Sequence, residues 1–154
     1  MSEIARIVDQ MRRGWDGDAW HGTPLWTMLR DVTANEANMR PIQGAHTIAE
    51  IVQHLAYWKE ATVQRIAGDL VSPGHEEQWP PHRDASEAAW KEALVSLETW
   101  HQVLMKVVES SNDEELDQPI AGRDYDVYVQ LHGTLQHDLY HTGQIALLKR
   151  AVRA

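Results

Sequence analysis

The stretch Thr47-Ile48-Ala49-Glu50-Ile51-Val52-Gln53-His54-Leu55-Ala56-Tyr57-Trp58-Lys59-Glu60-Ala61-Thr62-Val63-Gln64-Arg65-Ile66-Ala67-Gly68 is written as one helix from end to end. Thr47 and Glu50 stand at capping-box spacing, where hydroxyl and carboxylate each satisfy the other's free amide. Ile48, Ile51, Leu55 and Trp58, continued by Thr62, recur every three or four residues and define one buried face. Gly68 is the expected stop, because glycine enters the left-handed conformation that ends helices at little steric cost. His54 falls on the same face as Ile51, Trp58 and Ala61, which puts an imidazole at a core position.

The helical period continues on both sides of this segment. Ser2 to about Arg13 places Ile4, Ile7, Val8 and Met11 on one face, and Gly14 and Gly17 read as its end. Thr23-Pro24 is a start signal, with threonine as cap and proline at the first helical position. From it Leu25, Met28, Leu29, Val32, Glu36 and Met39 follow a three-four spacing up to Pro41, with Glu36 breaking the apolar stripe. Residues 69–83 contain Pro73, Gly74, Pro80 and Pro81 and read as a loop. Asp84-Ala85-Ser86-Glu87 is a second capping box, opening a helix through Trp90, Leu94, Leu97, His101, Leu104 and Val108. Asn112 to Asp124 is a polar loop, and a last helix runs from about Tyr125 to Ala151. Lys149, Arg150 and Arg153 suit the negative end of its dipole.

No segment alternates with period two for long enough to form a strand. The reading is therefore an all-α protein: four long helices plus a short N-terminal one, a four-helix bundle in one domain over residues 1–154. The connection after Met39 is short, so the helices flanking it are expected to be antiparallel. The two longer connections allow a crossover.

Composition removes several function classes. The 154 residues carry a net charge of -9, and the longest basic cluster is Arg12-Arg13, so a nucleic-acid phosphate backbone is not the expected ligand. No run approaches the roughly 18 apolar residues of a membrane span. Glu3, Arg6 and Asp9 spoil a secretory leader, and a cytoplasmic location is the expectation. The absence of cysteine removes disulfides, thiolate ligands and cysteine nucleophiles together. Nine histidines remain to be explained.

His137 and His141 stand four apart in His137-Asp138-Leu139-Tyr140-His141, so both imidazoles project from one helical face and reach a common point. Gln130, Gly133, Thr134, Gln144 and Leu148 share that face. His54, on a facing helix, is the candidate third ligand, because bundle cores build metal sites from side chains on separate helices. Three neutral imidazoles leave coordination positions open for water or substrate. The bland alternative for His54 is a hydrogen-bonded core histidine. His132 points about 140° away from His137. His46, His75 and His82 read as exposed, His101 as a core residue, and His21 as a cap or pocket rim.

Ala19-Trp20-His21-Gly22, the segment Ile48 to Trp58 with its isolated His54, and His137-Asp138-Leu139-Tyr140-His141-Thr142-Gly143-Gln144-Ile145 together resemble the DinB/YfiT superfamily. The resemblance spans nearly the whole chain. It implies an up-down-down-up four-helix bundle, commonly dimeric, with a divalent metal, usually zinc or nickel, on three histidines. Those positions correspond to His54, His137 and His141 here. Three histidines also suit ferrous iron.

Relatives implied by the resemblance include thiol S-transferases that use bacillithiol, a mycothiol-dependent isomerase and metal-dependent hydrolases. The leading expectation is transfer of a low-molecular-weight thiol onto an electrophilic substrate, the thiol arriving on a cosubstrate because the chain has none. A metal-dependent hydrolase activating water at the same site is the alternative. A non-catalytic metal-bearing sensor or small-molecule-binding bundle is the third. Glu50 and Asp138 are the candidate carboxylates for proton transfer, although Glu50 competes with its capping role and Asp138 is short for it. Tyr57, Trp58 and Gln144 are candidate pocket residues. Trp58, Trp90 and Trp100 read as core fillers in a chain without phenylalanine, and Trp20, Trp26 and Trp79 as pocket-mouth or dimer-interface residues.

Overall fold

The helical period is realised throughout. The computed structural model describes residues 1–80 and 84–154, and among these it contains helices, turns and one isolated bridge, Pro119 with Asp126. The α-helices are α1 (Glu3–Trp15), α2 (Leu25–Leu29), α3 (Ala34–Asn38), α4 (Ile48–Ile66), α5 (His75–Gln78), α6 (Glu87–Ser110) and α7 (Val127–Val152), with a 3-10 turn at Asp113–Asp117. His82, read as an exposed loop residue, lies outside the described residues. No helix among the described residues is long and apolar enough to cross a membrane.

Two buried clusters give the helix directions. One joins Ile4, Ile7 and Met11 of α1 to Leu104 and Val108 of α6 and to Val127 and Leu131 of α7, with Val63 and Ile66 of α4 packed against it. The other joins Trp15 to Ile48, Ile51 and Leu55 of α4, Trp90 and Leu97 of α6, and Ile145 and Leu148 of α7. The N-terminal ends of α1 and α7 therefore lie with the C-terminal ends of α4 and α6. The course is up-down-down-up, and the parallel pair α4 and α6 is joined by the long connection through α5. Burying each of Leu55, Leu97 and Ile145 contributes about 1.5–3 kcal/mol.

The first bundle helix differs from the expected one. The helix read over Thr23 to Met39 is two single turns, and α1, expected as a short extra, occupies the first corner of the bundle. The break has a local cause. Thr33 is extended (φ -80°, ψ 161°), its side chain accepts from the Glu36 amide, and Glu36 returns to the Thr33 amide, a capping box inside the apparent stripe. Glu36 thus caps α3 and also meets Arg153 at 2.7 Å, and its carboxyl is held down to about 2 by Arg153 and the Thr33 amide.

Other boundaries shift by small amounts. Gly14 lies inside α1 and faces α7, where a Cβ would come within 3.1 Å of Leu135. Ser86 rather than Asp84 caps α6, accepting from the Ala89 amide at 3.1 Å.

Between the two apolar clusters runs a polar layer. Lys59 is wholly buried (0% exposed) and paired with Asp138, and its ammonium lies 5.6 Å from the Trp15 ring. His101 stacks on the same Trp15 ring at 3.8 Å. Next to this layer Thr62 of α4 meets Thr134 of α7 at 3.1 Å.

Candidate metal centre

His54 sits in the middle of α4, while His137 and His141 sit one turn apart on α7, which runs antiparallel to it. The ring nitrogens converge. His54 Nε2 is 3.0 Å from His137 Nε2, and His141 Nε2 is 3.1 Å from the same atom. One ligand atom from each residue lies within 4.8 Å of the others, an arrangement that could hold a metal ion.

The far side of two rings fixes which nitrogen is bare. His54 Nδ1 meets the Gln78 carbonyl at 2.9 Å, an oxygen that can only accept, so Nδ1 carries the proton and Nε2 the lone pair. His141 Nδ1 meets Gln144 Oε1 at 2.7 Å with the same consequence. Two bare nitrogens thus face His137 Nε2, which has at most one proton to offer. A cation resolves the remaining clash of lone pairs. Nitrogens on one tetrahedral zinc stand about 3.3 Å apart, close to the spacing seen here. The donor set fits a divalent metal.

Burial keeps these imidazoles neutral, as ligands must be. It pushes His137 down to about 3, aided by the neighbouring histidines and Lys59. It pushes His54 down to about 4, against the opposing effect of the Gln78 hydrogen bond. His141 is lowered for the same first reason, with Gln144 and Asp138 opposing.

A ring stack that the sequence did not announce braces His54. Trp79 lies flat on it at 3.7 Å, and His46 lies flat on the other face of Trp79 at 3.6 Å. Gln78 and Trp79 belong to the proline-rich connection, whose only local signal is a tryptophan between Gly74 and Pro80.

The two candidate carboxylates are engaged. Glu50 accepts from the Thr47 amide at 2.7 Å and pairs with Arg40 at 2.7 Å and His46 at 3.3 Å. It completes the capping box and is linked to His54 through the His46–Trp79 stack. Asp138 accepts from Lys59 at 2.5 Å.

Beside His137 opens a cleft of about 190 Å³ lined by Trp58, Thr62, Gln130, Gly133, Thr134 and His137. Trp58 also meets His137 edge-on at 6.1 Å. Tyr57 is not on this cleft; it lines a separate groove with Glu60 and Glu77. His21 and the fully exposed Trp20 rim another hollow between α1 and α7. Trp26 stacks on Trp15 at 5.0 Å, and His132 packs against Tyr128 at 4.3 Å, apart from the three clustered histidines.

The molecule is thus an up-down-down-up helical bundle with three convergent imidazoles near its centre. Residues 20–145 match the DinB superfamily, and the chain belongs to that superfamily. Neither a search of curated proteins nor one of solved structures gave a match.

Proposed function

We propose that the protein is a metal-dependent enzyme that transfers a low-molecular-weight thiol to an electrophile, with His54, His137 and His141 as metal ligands. The observation that carries this reading is three imidazoles converging at a cleft that His137 lines, with no free carboxylate beside them among the described residues. A divalent ion bound there, zinc or nickel, supplies Lewis acidity that favours the anionic form of a thiol or water.

The chain's own residues hold that donor set in place. Gln78 and Gln144 orient His54 and His141, while Trp79 and Trp58 keep the rings from turning. The indole of Trp58 and the bare backbone of Gly133 give the cleft an apolar wall.

Water activation in hydrolysis calls for a base to take a proton. Glu50 is occupied by Thr47, Arg40 and His46, and Asp138 by Lys59. A thiol, more acidic than water before either meets a metal, needs less help from such a base. With no cysteine in the chain, the thiol enters as cosubstrate.

The test is protein loaded with zinc or nickel, incubated with a panel of small thiols and a chloro-dinitroaromatic acceptor. Adduct absorbance that depends on metal and disappears in His137→Ala is expected. No metal-dependent adduct with any thiol overturns the reading.

A further inference from the structure

Arg65, near the end of α4, is only 4% exposed. Among the described residues its hydrogen-bond partners are all neutral. The guanidinium donates to the Val71 carbonyl from Nε at 3.3 Å and Nη2 at 3.0 Å, and from Nη1 to the Tyr125 hydroxyl and Gln130 Oε1, each at 3.2 Å. It also lies 5.0 Å from the Trp58 ring. A guanidinium does not shed its proton in a protein, and buried charges ordinarily have a counter-charge.

The shortage is not one of composition, since the chain carries a net charge of -9. It is local. Asp138 is neutralised by Lys59 and Glu50 by Arg40, so neither offsets Arg65.

Arg65 stands directly behind the cleft. Two residues it touches, Trp58 and Gln130, line the cleft's wall. Gln130 passes the polarisation on, its Nε2 donating to Thr62 Oγ1 at 3.2 Å and Thr134 Oγ1 at 3.4 Å. Those hydroxyls donate to the Trp58 and Gln130 carbonyls, each at 2.8 Å. These are helix carbonyls one turn back, which main-chain amides also satisfy, so either hydroxyl proton can turn to an arriving anion. At Gly133 an added Cβ would meet nothing within 4 Å, which leaves that wall open. From Gln130 to His137 the α7 axis advances about 10 Å.

We infer that the cleft takes an elongated organic anion. Its carboxylate lies at the Thr62–Gln130–Thr134 end under the field of Arg65, its apolar body runs along Trp58 and Gly133, and its reactive head reaches the three histidines. The inference rests on the metal-centre reading above and names the substrate class for that centre.

Cobalt-loaded protein provides a test by equilibrium binding, because a thiolate on cobalt gives a near-ultraviolet charge-transfer band. Mercaptooctanoate and its neutral methyl ester are titrated alongside mercaptoacetate and its methyl ester. The long acid is expected to bind about tenfold more tightly than its ester, the worth of one charge-assisted hydrogen bond, while the short pair differ little. Arg65→Gln is expected to bring the long pair level at unchanged cobalt stoichiometry, and Arg65→Lys to keep part of the preference. Gly133→Leu, which fills the cleft and leaves Arg65 in place, is expected to reduce the long acid to the affinity of the short one.

Equal binding of long acid and ester by the unaltered protein overturns the inference and leaves the metal centre standing. So does a preference that survives Arg65→Gln. Failure to take up cobalt, or the absence of a band with every thiol, overturns the metal-centre reading and the inference with it.

Discussion

Lys59 Nζ donates to Asp138 Oδ2 across the interface of α4 and α7, with the lysine wholly buried and the aspartate next in sequence to His137. The pair ties together the two helices that bear all three histidines. Lys59→Met would leave the part-buried Asp138 without its partner, at a cost of up to about 3 kcal/mol. The double variant Lys59→Met with Asp138→Leu should recover most of that loss. Urea unfolding of the two single variants and the double variant checks this, and equal destabilisation by single and double would contradict it.

Gln144 touches His141 at 2.7 Å and sets which of its nitrogens is bare. If His141 binds zinc, Gln144→Leu should weaken that binding by about 10–100-fold, the usual effect of losing a hydrogen bond behind a ligand. The fold should be little changed. Competition against a chromogenic chelator measures the affinity, and circular dichroism supplies the control.

His101 gives the protein an acid-sensitive core. Burial, with Lys59 nearby, pushes it down to about 2 from an ordinary value of 6.5. The folded state therefore stays neutral at a pH where the unfolded chain takes up a proton. Its contribution is complete above about pH 6.5 and falls by about 1.4 kcal/mol for each pH unit below, until the folded pKa is reached. His101→Leu should flatten the stability profile between about pH 5 and 6.5 by that slope. It also removes an Nδ1 that has no hydrogen-bond partner among the described residues. An unchanged profile would show that His101 is not held neutral.

If the three histidines hold a divalent ion, the ion binds only the folded site and stabilises it by mass action. At a hundredfold excess of free metal over the dissociation constant the gain is about 2.7 kcal/mol. Zinc should raise Tm for the unaltered protein and leave His137→Ala unmoved. A shift of equal size in both would place the binding elsewhere.

Thr33 breaks what would otherwise be one longer helix. Thr33→Ala removes the side-chain half of its capping box with Glu36 and should cost about 1 kcal/mol. Thermal unfolding checks the loss. Arg153 should still hold Glu36, because their 2.7 Å contact does not involve Thr33.

Much of the centre is legible along the chain. The four-residue spacing of His137 and His141 puts both on one face of any helix, and His54 sits on the inward stripe of α4. Gln130, Gly133 and Thr134 share the ligand face by the same arithmetic, and the structure has them lining the cleft. Glu50 belongs to a capping box that four consecutive residues spell out. The equivalent box at Thr33 is equally local, but the apolar spacing from Leu25 to Met39 runs across it and conceals it.

Lys59, Arg65, Gln78 and Trp79 are different in kind. Nothing near Lys59 in sequence announces an aspartate on α7, and nothing near Trp79 announces that it will lie flat on His54. Periodicity and capping depend on neighbours within a turn or two, so the amino-acid order alone determined that this chain is helical, where most helices begin, and which histidines share a face. Ion pairs, ring stacks and the neutral hydrogen-bond partners of Arg65 arise only when distant segments meet away from water. There an uncompensated charge or a bare lone pair becomes costly, and tertiary packing decides which partner answers it.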